Sequence, residues 1–279
     1  MIKSISTSTF YNRPIEEALS IIKESGFQYI ELTIYWKGDK WETAQHLRDV
    51  SPKKVINLIE DNGLKIATIH DTGGLVHKDT KQILSDKLLE YLQLVNYDIE
   101  TVVVHSPFMR DPNLWAKFKK NYLQELTHLA KKTTVSIENM SRLPDFFVPL
   151  MDLAHLYDYA KTNKFFINID TSHCGESRID LLDAKKRYGD LFKTVHLSDY
   201  RSKKFVQLGK GDLPLENFIK VLDKDTTRVL TVECNADQNL SNRELVEYIK
   251  ELFNFVSTTT LRVAPFAQDE VVRVQSEVA

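Results

Sequence analysis

The stretch 134–170, TVSIENMSRLPDFFVPLMDLAHLYDYAKTNKFFINID, contains the pattern that decides the fold. Its two ends, Thr134–Glu138 and Phe165–Asp170, are short runs rich in branched apolar residues, which predicts strands that are buried on both faces. Between them, Phe146–Asn163 has apolar residues at the 3.6-residue spacing of an amphipathic helix. The stretch is therefore predicted to be one strand–helix–strand unit of a parallel sheet.

The same alternation runs along the rest of the chain without a linker. The further strand candidates are Ile2–Ser6, Tyr29–Thr33, Lys65–His70, Thr101–His105, Phe192–Leu197 and Arg228–Glu233. The further helix candidates are Pro14–Ser25, Pro52–Asn62, Thr80–Asn96, Asn113–Lys131, Arg178–Tyr188, Pro214–Leu222 and Asn242–Phe255. Eight strand–helix pairs predict a single α/β domain of the (β/α)₈ TIM barrel type over residues 1–256. A doubly wound open sheet is the alternative, but no GxGxxG follows the first strand.

The segment Ser257–Ala279 follows the eighth helix and is predicted to be a short C-terminal tail. Within it, Val271–Val278 alternates between apolar and polar residues like a strand. It is expected either to fray, as termini commonly do, or to pair with a neighbouring subunit or the outside of the barrel.

Composition narrows the class of protein. The chain has 279 residues, of which 42% are hydrophobic and 27% are charged, and its net charge is −2. This balance gives no general attraction for nucleic acid or an anionic membrane, so neither is an expected partner. Two cysteines, Cys174 and Cys234, are too few for a disulfide framework. No signal peptide and no apolar run of about 18 residues is evident. We therefore expect a cytoplasmic enzyme with a small-molecule substrate. The composition does not decide whether the chain forms a homo-oligomer.

Side-chain alternation predicts which residues meet at one end of the barrel. In Thr134–Glu138, Val135 and Ile137 must face the helices, so Ser136 and Glu138 point inward. The same parity, applied to six consecutive strands from the third to the eighth, brings one inward polar side chain to each C-terminal end: His70, His105, Glu138, Asp170, His196 and Glu233. This rim is where barrel enzymes place their active sites.

Several carboxylates at one rim predict a metal site. Like charges that are buried together are costly unless a counter-charge is present, and a divalent cation supplies one. Oxygen and imidazole ligands suit Mn, Mg, Co, Zn or Fe, and the pattern does not choose among these metals. Glu31, inward on the second strand, is interpreted as a structural carboxylate bonded within the barrel, with an indirect role at the site as the alternative.

Short motifs at the strand ends resemble those of the xylose isomerase-like superfamily of sugar phosphate isomerases and epimerases, which also contains endonuclease IV. The resemblance covers about Ser4 to Phe255 and is carried by Gly26–Leu32, Ile137–Asn139, Asp170–His173, His196–Asp199, Leu208–Asp212 and Val232–Glu233. It implies that one divalent ion is held by the quartet Glu138, Asp170, His196 and Glu233, the residues that alternation also selects.

The resemblance also implies a reaction. In this family, two metal-ligating glutamates stand on opposite faces of the bound sugar, and here they would be Glu138 and Glu233. One removes a proton from the carbon beside a carbonyl, the metal stabilises the enediolate, and a glutamate returns the proton. The substrate would be a sugar or sugar derivative. The residues expected to bind it are His70, His105, His173 and Arg201.

Three alternatives stay open. A dehydratase of a cyclic polyol or keto acid would use the same site and the same enolate chemistry. An endonuclease IV-like phosphodiesterase would hold three zinc ions, but two expected ligands, an Asp-x-His before Gly209, are replaced by Lys203-Lys204-Phe205. A second ion near His70, His105 and His173 is a related alternative. The third is a catalytically silent barrel that only binds a metal or a sugar.

Overall fold

The computed structural model describes residues 1–34, 47, 49–80, 82–142, 145–234, 236, 237 and 239–261. In this part of the chain, eight parallel strands form a closed barrel. They are β1 Ile2–Ser6, β2 Tyr29–Ile34, β3 Lys65–Asp71, β4 Thr101–His105, β5 Val135–Glu138, β6 Phe166–Asp170, β7 Phe192–Leu197 and β10 Val229–Val232. Because β1 pairs with both β2 and β10, the sheet has no edge, which excludes the open doubly wound alternative. The predicted (β/α)₈ barrel is confirmed.

Helices follow the strands along the chain. They are α1 Ile15–Glu24, α2 Pro52–Asp61, α3 Asp86–Leu94, α4 Asn113–Ala130, α5 Leu153–Asn163, α6 Thr171–Glu176, α7 Leu181–Tyr188, α8 Leu215–Val221 and α9 Asn242–Leu261. The strand boundaries agree with the sequence prediction to within one residue. Among the described residues, no helix is both long and apolar enough to cross a membrane.

Three helices begin later than predicted, namely those expected at Thr80–Asn96, Phe146–Asn163 and Arg178–Tyr188. The reason is the position of the capping side chains. Ser85, Asp152 and Asp180 each accept a hydrogen bond from a backbone N–H of the first helical turn, so each helix starts after its cap. Apolar residues that precede these caps, such as Leu84, Met151 and Ile179, lie in loops.

The last helix is longer than predicted. Periodicity placed its end at Phe255, but α9 continues to Leu261, because Val256 and Thr259 are also buried against the barrel. The first residues of the predicted tail, 257–261, are therefore helical. Residues 262–279, including the alternating stretch Val271–Val278, lie outside the described residues.

The two faces of the barrel strands differ as alternation requires. The outward residues, among them Ile137 and Ile169, are fully buried between strands and helices. Several inward residues below the rim carry hydroxyl or amide groups that bond between neighbouring strands: Ser4 with Thr231 at 2.8 Å, Thr101 with Ser136 at 3.0 Å, and Thr194 with Asn168 at 2.7 Å. The interior below the rim is therefore hydrogen-bonded as well as packed.

A hairpin that the sequence did not predict follows β7. Its strands are β8 Asp199–Arg201 and β9 Lys204–Val206, which pair antiparallel. Buried Asp199 anchors the hairpin and the following loop, because its carboxylate accepts hydrogen bonds from the backbone N–H groups of Tyr200, Gly209 and Gly211 at 2.8–3.0 Å. A Cβ at Gly211 would lie 1.9 Å from an Asp199 oxygen, so the anchor requires glycine there.

We predict that Asp199→Ala lowers the free energy of unfolding by about 2–4 kcal/mol, because it removes a buried carboxylate that accepts several partly buried backbone N–H groups. Urea unfolding followed by circular dichroism measures the change. Asp212→Ala is the control, since it removes only an exposed ion pair with Arg201 and should cost about 0–1 kcal/mol. Equal stabilities of the two variants would contradict the anchoring role of Asp199.

Candidate active site

The six inward residues predicted from alternation meet at the C-terminal end of the barrel. They are His70 in β3, His105 at the end of β4, Glu138 at the end of β5, Asp170 at the end of β6, His196 in β7 and Glu233 just after β10. Strand register explains the meeting, because His105 is aligned with Glu138 and Asp170 is aligned with His196. Side chains of the same parity in neighbouring strands therefore point to one place.

One subset has the geometry of a cation site. Glu138, Asp170, His196 and Glu233 each offer a ligand atom, and these four atoms lie within 4.8 Å of one another. The two glutamates both approach Nδ1 of His196. The distance to Glu233 Oε2 is 2.7 Å and the distance to Glu138 Oε2 is 3.5 Å. This is the quartet that the sequence predicted as metal ligands.

A second subset lies beside the first and shares Glu138. Nε2 of His70 is 3.1 Å from Glu138 Oε2, and Nε2 of His105 is 3.8 Å from the same oxygen. The rings of His70 and His105 meet edge to face, with centroids 4.9 Å apart. Glu138 is therefore the residue that joins the two groups.

His173 is placed by a short helix that the sequence did not predict. Asp170 caps α6, since its Oδ1 accepts hydrogen bonds from Ser172 Oγ at 2.6 Å and from the backbone N–H of His173 at 2.8 Å. Nδ1 of His173 donates to the backbone oxygen of Asn139 at 2.8 Å, because a carbonyl oxygen can only accept. The same nitrogen is 3.3 Å from Glu138 Oε1. The cap and the carbonyl together bring the ring beside Glu138.

The cluster compensates its own charge when no cation is present. Burial disfavours the charged form of every group in the cluster. At His70, the attraction of the Glu138 and Glu31 carboxylates is larger than this effect of burial and raises the pKa to about 10. The pKa of Glu138 is lowered well below its ordinary value, because His196 and His70 outweigh its burial. His105 differs, since burial dominates and lowers its pKa to about 4. The imidazolium rings of His70, His173 and His196, whose pKa is raised, thus balance the carboxylates, whereas His105, whose pKa is lowered, is a neutral imidazole.

The same cluster fits a divalent cation. Several of its buried atoms make no hydrogen bond of acceptable geometry with any described residue: Glu138 Oε2, Glu31 Oε1, His196 Nδ1 and both ring nitrogens of His70. Lone pairs of carboxylate oxygen and imidazole nitrogen, gathered in one place, are the donor set of divalent metals such as Mn, Zn and Fe. The chemistry of the residues therefore agrees with a bound ion.

Arg201, the remaining predicted substrate-binding residue, lies on the hairpin strand β8. Its Nε is 3.0 Å from Asp212 Oδ1, and its Nη2 donates to the backbone oxygen of Gly211 at 3.3 Å. The side chain is 52% exposed. The structure does not bring it into the cluster, and its role with a substrate stays a prediction.

Sequence reasoning missed several side chains that contact the cluster, among them Ser8 and Asn139. Ser8, in the turn after β1, donates to Glu233 Oε1 at 3.0 Å. Asn139 accepts from the backbone N–H of Asp170 at 2.6 Å and so ties β5 to β6. Ser8 lies in a 3-10 turn, Thr7–Phe10, beyond the end of β1, where strand parity no longer applies, so only the tertiary contact reveals it. Asn139 follows Glu138 and faces away by parity, so only the strand-to-strand contact reveals it.

Comparison with known proteins places this geometry in a family. Inosose dehydratase from Clostridium perfringens (strain 13 / Type A) is 24% identical over 206 residues, which are 64% of this chain and 69% of that protein. The IOLI protein, solved with a bound zinc atom, superposes with a TM-score of 0.70 at 16% identity over 93% of this chain and 99% of that chain. L-ribulose 3-epimerase gives a TM-score of 0.69 at 16% identity over 99% of this chain and 100% of that chain.

At such low identity, the two solved structures establish the fold alone. The family follows from a sequence match that spans residues 19–255, which is most of the barrel. This confirms the resemblance drawn from the strand-end motifs. The chain belongs to the xylose isomerase-like TIM barrel family.

Proposed function

We propose that the protein is a divalent-metal-dependent isomerase or epimerase of a sugar or sugar derivative. Glu138, Asp170, His196 and Glu233 would hold one ion, which is Mn, Mg, Co, Zn or Fe. When bound, this ion supplies a Lewis acid that makes the hydrogen beside a carbonyl more acidic. The family of the chain and the zinc atom of the structurally similar IOLI protein support the metal.

The position of the two glutamates carries the proposal. Both reach Nδ1 of His196, yet Glu138 ends β5 whereas Glu233 follows β10, three strands away around the barrel. Two carboxylates that approach one point from separate strands can flank a substrate. A proton can then leave one face of a carbon and return to the other face, which is epimerisation, or return to a neighbouring carbon, which is isomerisation.

The chain supplies bases in the right protonation state. The pKa of Glu138 and of Glu233 is lowered, because the nearby imidazoles outweigh the effect of burial. Both carboxylates are therefore ionised at neutral pH and can accept a proton. The hydroxyl of Ser8 binds Oε1 of Glu233, which fixes the carboxylate while Oε2 faces the cluster. A fixed base is an effective one, because proton transfer needs hydrogen-bond reach.

The surrounding side chains are proposed to bind the substrate. His70, His105 and His173 each have a ring nitrogen within 3.8 Å of a Glu138 oxygen, so all three rings are near any molecule held by that carboxylate. Neutral His105 can donate or accept, whereas the other two rings are donors. Donors and acceptors at several angles are what a polyhydroxylated substrate requires. Arg201 would join them only if its ion pair with Asp212 opens.

A dehydratase is the second candidate, and the curated relatives favour it, because they are inosose dehydratases. Its first step would also be removal of a proton beside a carbonyl by Glu138 or Glu233. A second step would expel a neighbouring hydroxyl as water, with a protonated ring such as His173 as the donor. The products separate the two reactions, since a dehydratase product has lost one water and an epimer has not.

Phosphodiester hydrolysis has less support. The third metal of an endonuclease IV-like site would need an Asp-x-His where this chain has Lys203-Lys204-Phe205. In the structure these residues form the turn and the second strand of the hairpin, and they offer no carboxylate or imidazole. We therefore propose carbon chemistry rather than DNA repair.

We predict that the metal-loaded protein holds about one divalent ion per chain and that Asp170→Ala loses it while the barrel still folds. Elemental analysis after gel filtration measures the occupancy. Asp152→Ala is a matched control, because Asp152 also caps a helix but its side chain is 63% exposed and is not one of the clustered ligand groups. Both variants should lose a cap worth about 0.5–2 kcal/mol, and only the first should lose the metal. Full occupancy in Asp170→Ala would contradict the proposed ligand set.

We predict that Glu138→Gln and Glu233→Gln each reduce turnover of the active sugar at least about 100-fold, the usual cost of losing a general base. Wild-type turnover in deuterated water should place solvent deuterium on the carbon beside the carbonyl. The metal-loaded protein is incubated with a panel of ketoses, aldoses and inososes. NMR and mass spectrometry then measure the turnover and the incorporation of deuterium. Glu100→Gln, at the opposite end of the barrel beside Lys193 and Arg228, is the control.

Two results would contradict this mechanism. Product without solvent label would indicate transfer of the original hydrogen, as in a hydride shift. Near-wild-type turnover of either glutamine variant would remove that glutamate from proton transfer. Product that has lost water would instead select the dehydratase.

A further inference from the structure

Glu31 of β2 lies beneath the cluster and contacts two of its rings. The side chain is fully buried. Its Oε2 accepts hydrogen bonds from Thr68 Oγ1 and from Nε2 of His196, each at 2.9 Å. Its Oε1 lies 3.7 Å from Nδ1 of His70. The hydrogen bond from Thr68 agrees with the structural interpretation drawn from the sequence, but the contact with His196 is additional.

The ring of His196 has two different neighbours. Nδ1 faces the carboxylates of Glu233 and Glu138, whereas Nε2 faces Glu31. An imidazole binds a metal only through a nitrogen that carries no proton, and the other nitrogen then carries the N–H. A carboxylate can only accept, so the hydrogen between Glu31 and His196 belongs to Nε2. That arrangement leaves Nδ1 as the nitrogen available to a cation.

We propose that Glu31 is a positioning residue for the metal site: it holds His196 in the Nε2–H tautomer and directs Nδ1 towards the ion. This inference rests on the metal site of the proposed function and adds a residue to it. A carboxylate that accepts the outer N–H of a ligating histidine fixes the ring orientation and makes the ligating nitrogen more basic.

The position of Glu31 in the barrel suits this role. Glu31 is aligned with Thr68 in the next strand, and the hydroxyl of Thr68 holds the same oxygen that binds His196. His70 approaches the other oxygen. The carboxylate is thus held from both sides and cannot turn away without breaking a buried contact. A fixed acceptor of this kind is what keeps a ligand ring in one orientation.

The test compares three substitutions in the metal-loaded protein. Glu31→Leu removes the acceptor, Glu31→Gln keeps an oxygen that can accept from Nε2–H but removes the charge, and Thr101→Val is a control that removes another interior hydroxyl. Affinity for Zn²⁺ is measured by competition with a chromogenic chelator. The tautomer of His196 is read from histidine ¹⁵N correlation spectra of the Zn²⁺ form, and the ligand geometry from visible spectra of the Co²⁺ form.

We expect Glu31→Leu to weaken Zn²⁺ binding by about 10–100-fold, the usual effect of losing such a partner, and to change the Co²⁺ spectrum. Glu31→Gln should weaken Zn²⁺ binding less than Glu31→Leu does and should keep the Nε2–H signal of His196. Thr101→Val should bind Zn²⁺ as the wild type does. If Glu31→Leu fails to fold, Glu31→Gln still decides the question, because loss of its Nε2–H signal with the ion bound would overturn the proposal.

Two further outcomes would overturn it. Unchanged affinity and an unchanged tautomer in Glu31→Leu would leave Glu31 with a purely structural role. Complete loss of the ion in both Glu31 variants would indicate that Glu31 binds the ion directly. This outcome is a real alternative, because ligand atoms of Glu31, His70, His196 and Glu233 also lie within 4.8 Å of one another. None of these measurements uses a sugar, so they stand even if the proposed reaction is wrong. A wild-type protein that binds neither Zn²⁺ nor Co²⁺ would refute the metal site itself.

Discussion

Compensation of buried charge at one end of the barrel is the constraint on which the rest of the site depends. The carboxylates of Glu31, Glu138, Asp170 and Glu233 are gathered around a few imidazole rings, and like charges at such distances cannot all remain ionised without counter-charges. Without an ion, protonated histidines supply the counter-charge, as the raised pKa of His70 and His196 indicates. With an ion bound, the metal would supply it, and His196 would give up the proton on Nδ1.

The barrel stabilises this concentration of charge because residues around the cluster hold its charged side chains in place. Each strand contributes its inward residue at the rim, and the layer below is joined by hydroxyl pairs such as Ser4 with Thr231. The partners of the cluster then hold particular atoms: Ser8 binds one oxygen of Glu233, and Glu31 binds one nitrogen of His196. Orientation is thereby determined by hydrogen bonds, while the outward apolar residues provide the stability.

A site of this kind does not by itself choose one reaction. Removal of a proton beside a carbonyl begins both epimerisation and dehydration, and the two differ only in what happens to the neighbouring hydroxyl. The choice depends on which donor stands near that hydroxyl. Here the rings around Glu138 differ in charge, since His173 has a raised pKa and His105 a lowered one. In the proposed dehydration, this difference makes His173 the ring that can donate a proton.

The sequence by itself determined the barrel and the rim. The alternation in Thr134–Glu138 is a local property, because a strand buried on both faces must place Ile137 and Glu138 on opposite sides. Repetition of that rule selects six rim residues, and the family resemblance names four of them as metal ligands. Tertiary structure alone decided which atoms meet. The contact of Glu31 with His196 joins residues far apart in the chain, and the pairing of Arg201 with Asp212 depends on a hairpin anchored by Asp199. Parity gives the direction of a side chain, but strand register and loop contacts set its partner, and those arise only when the barrel closes.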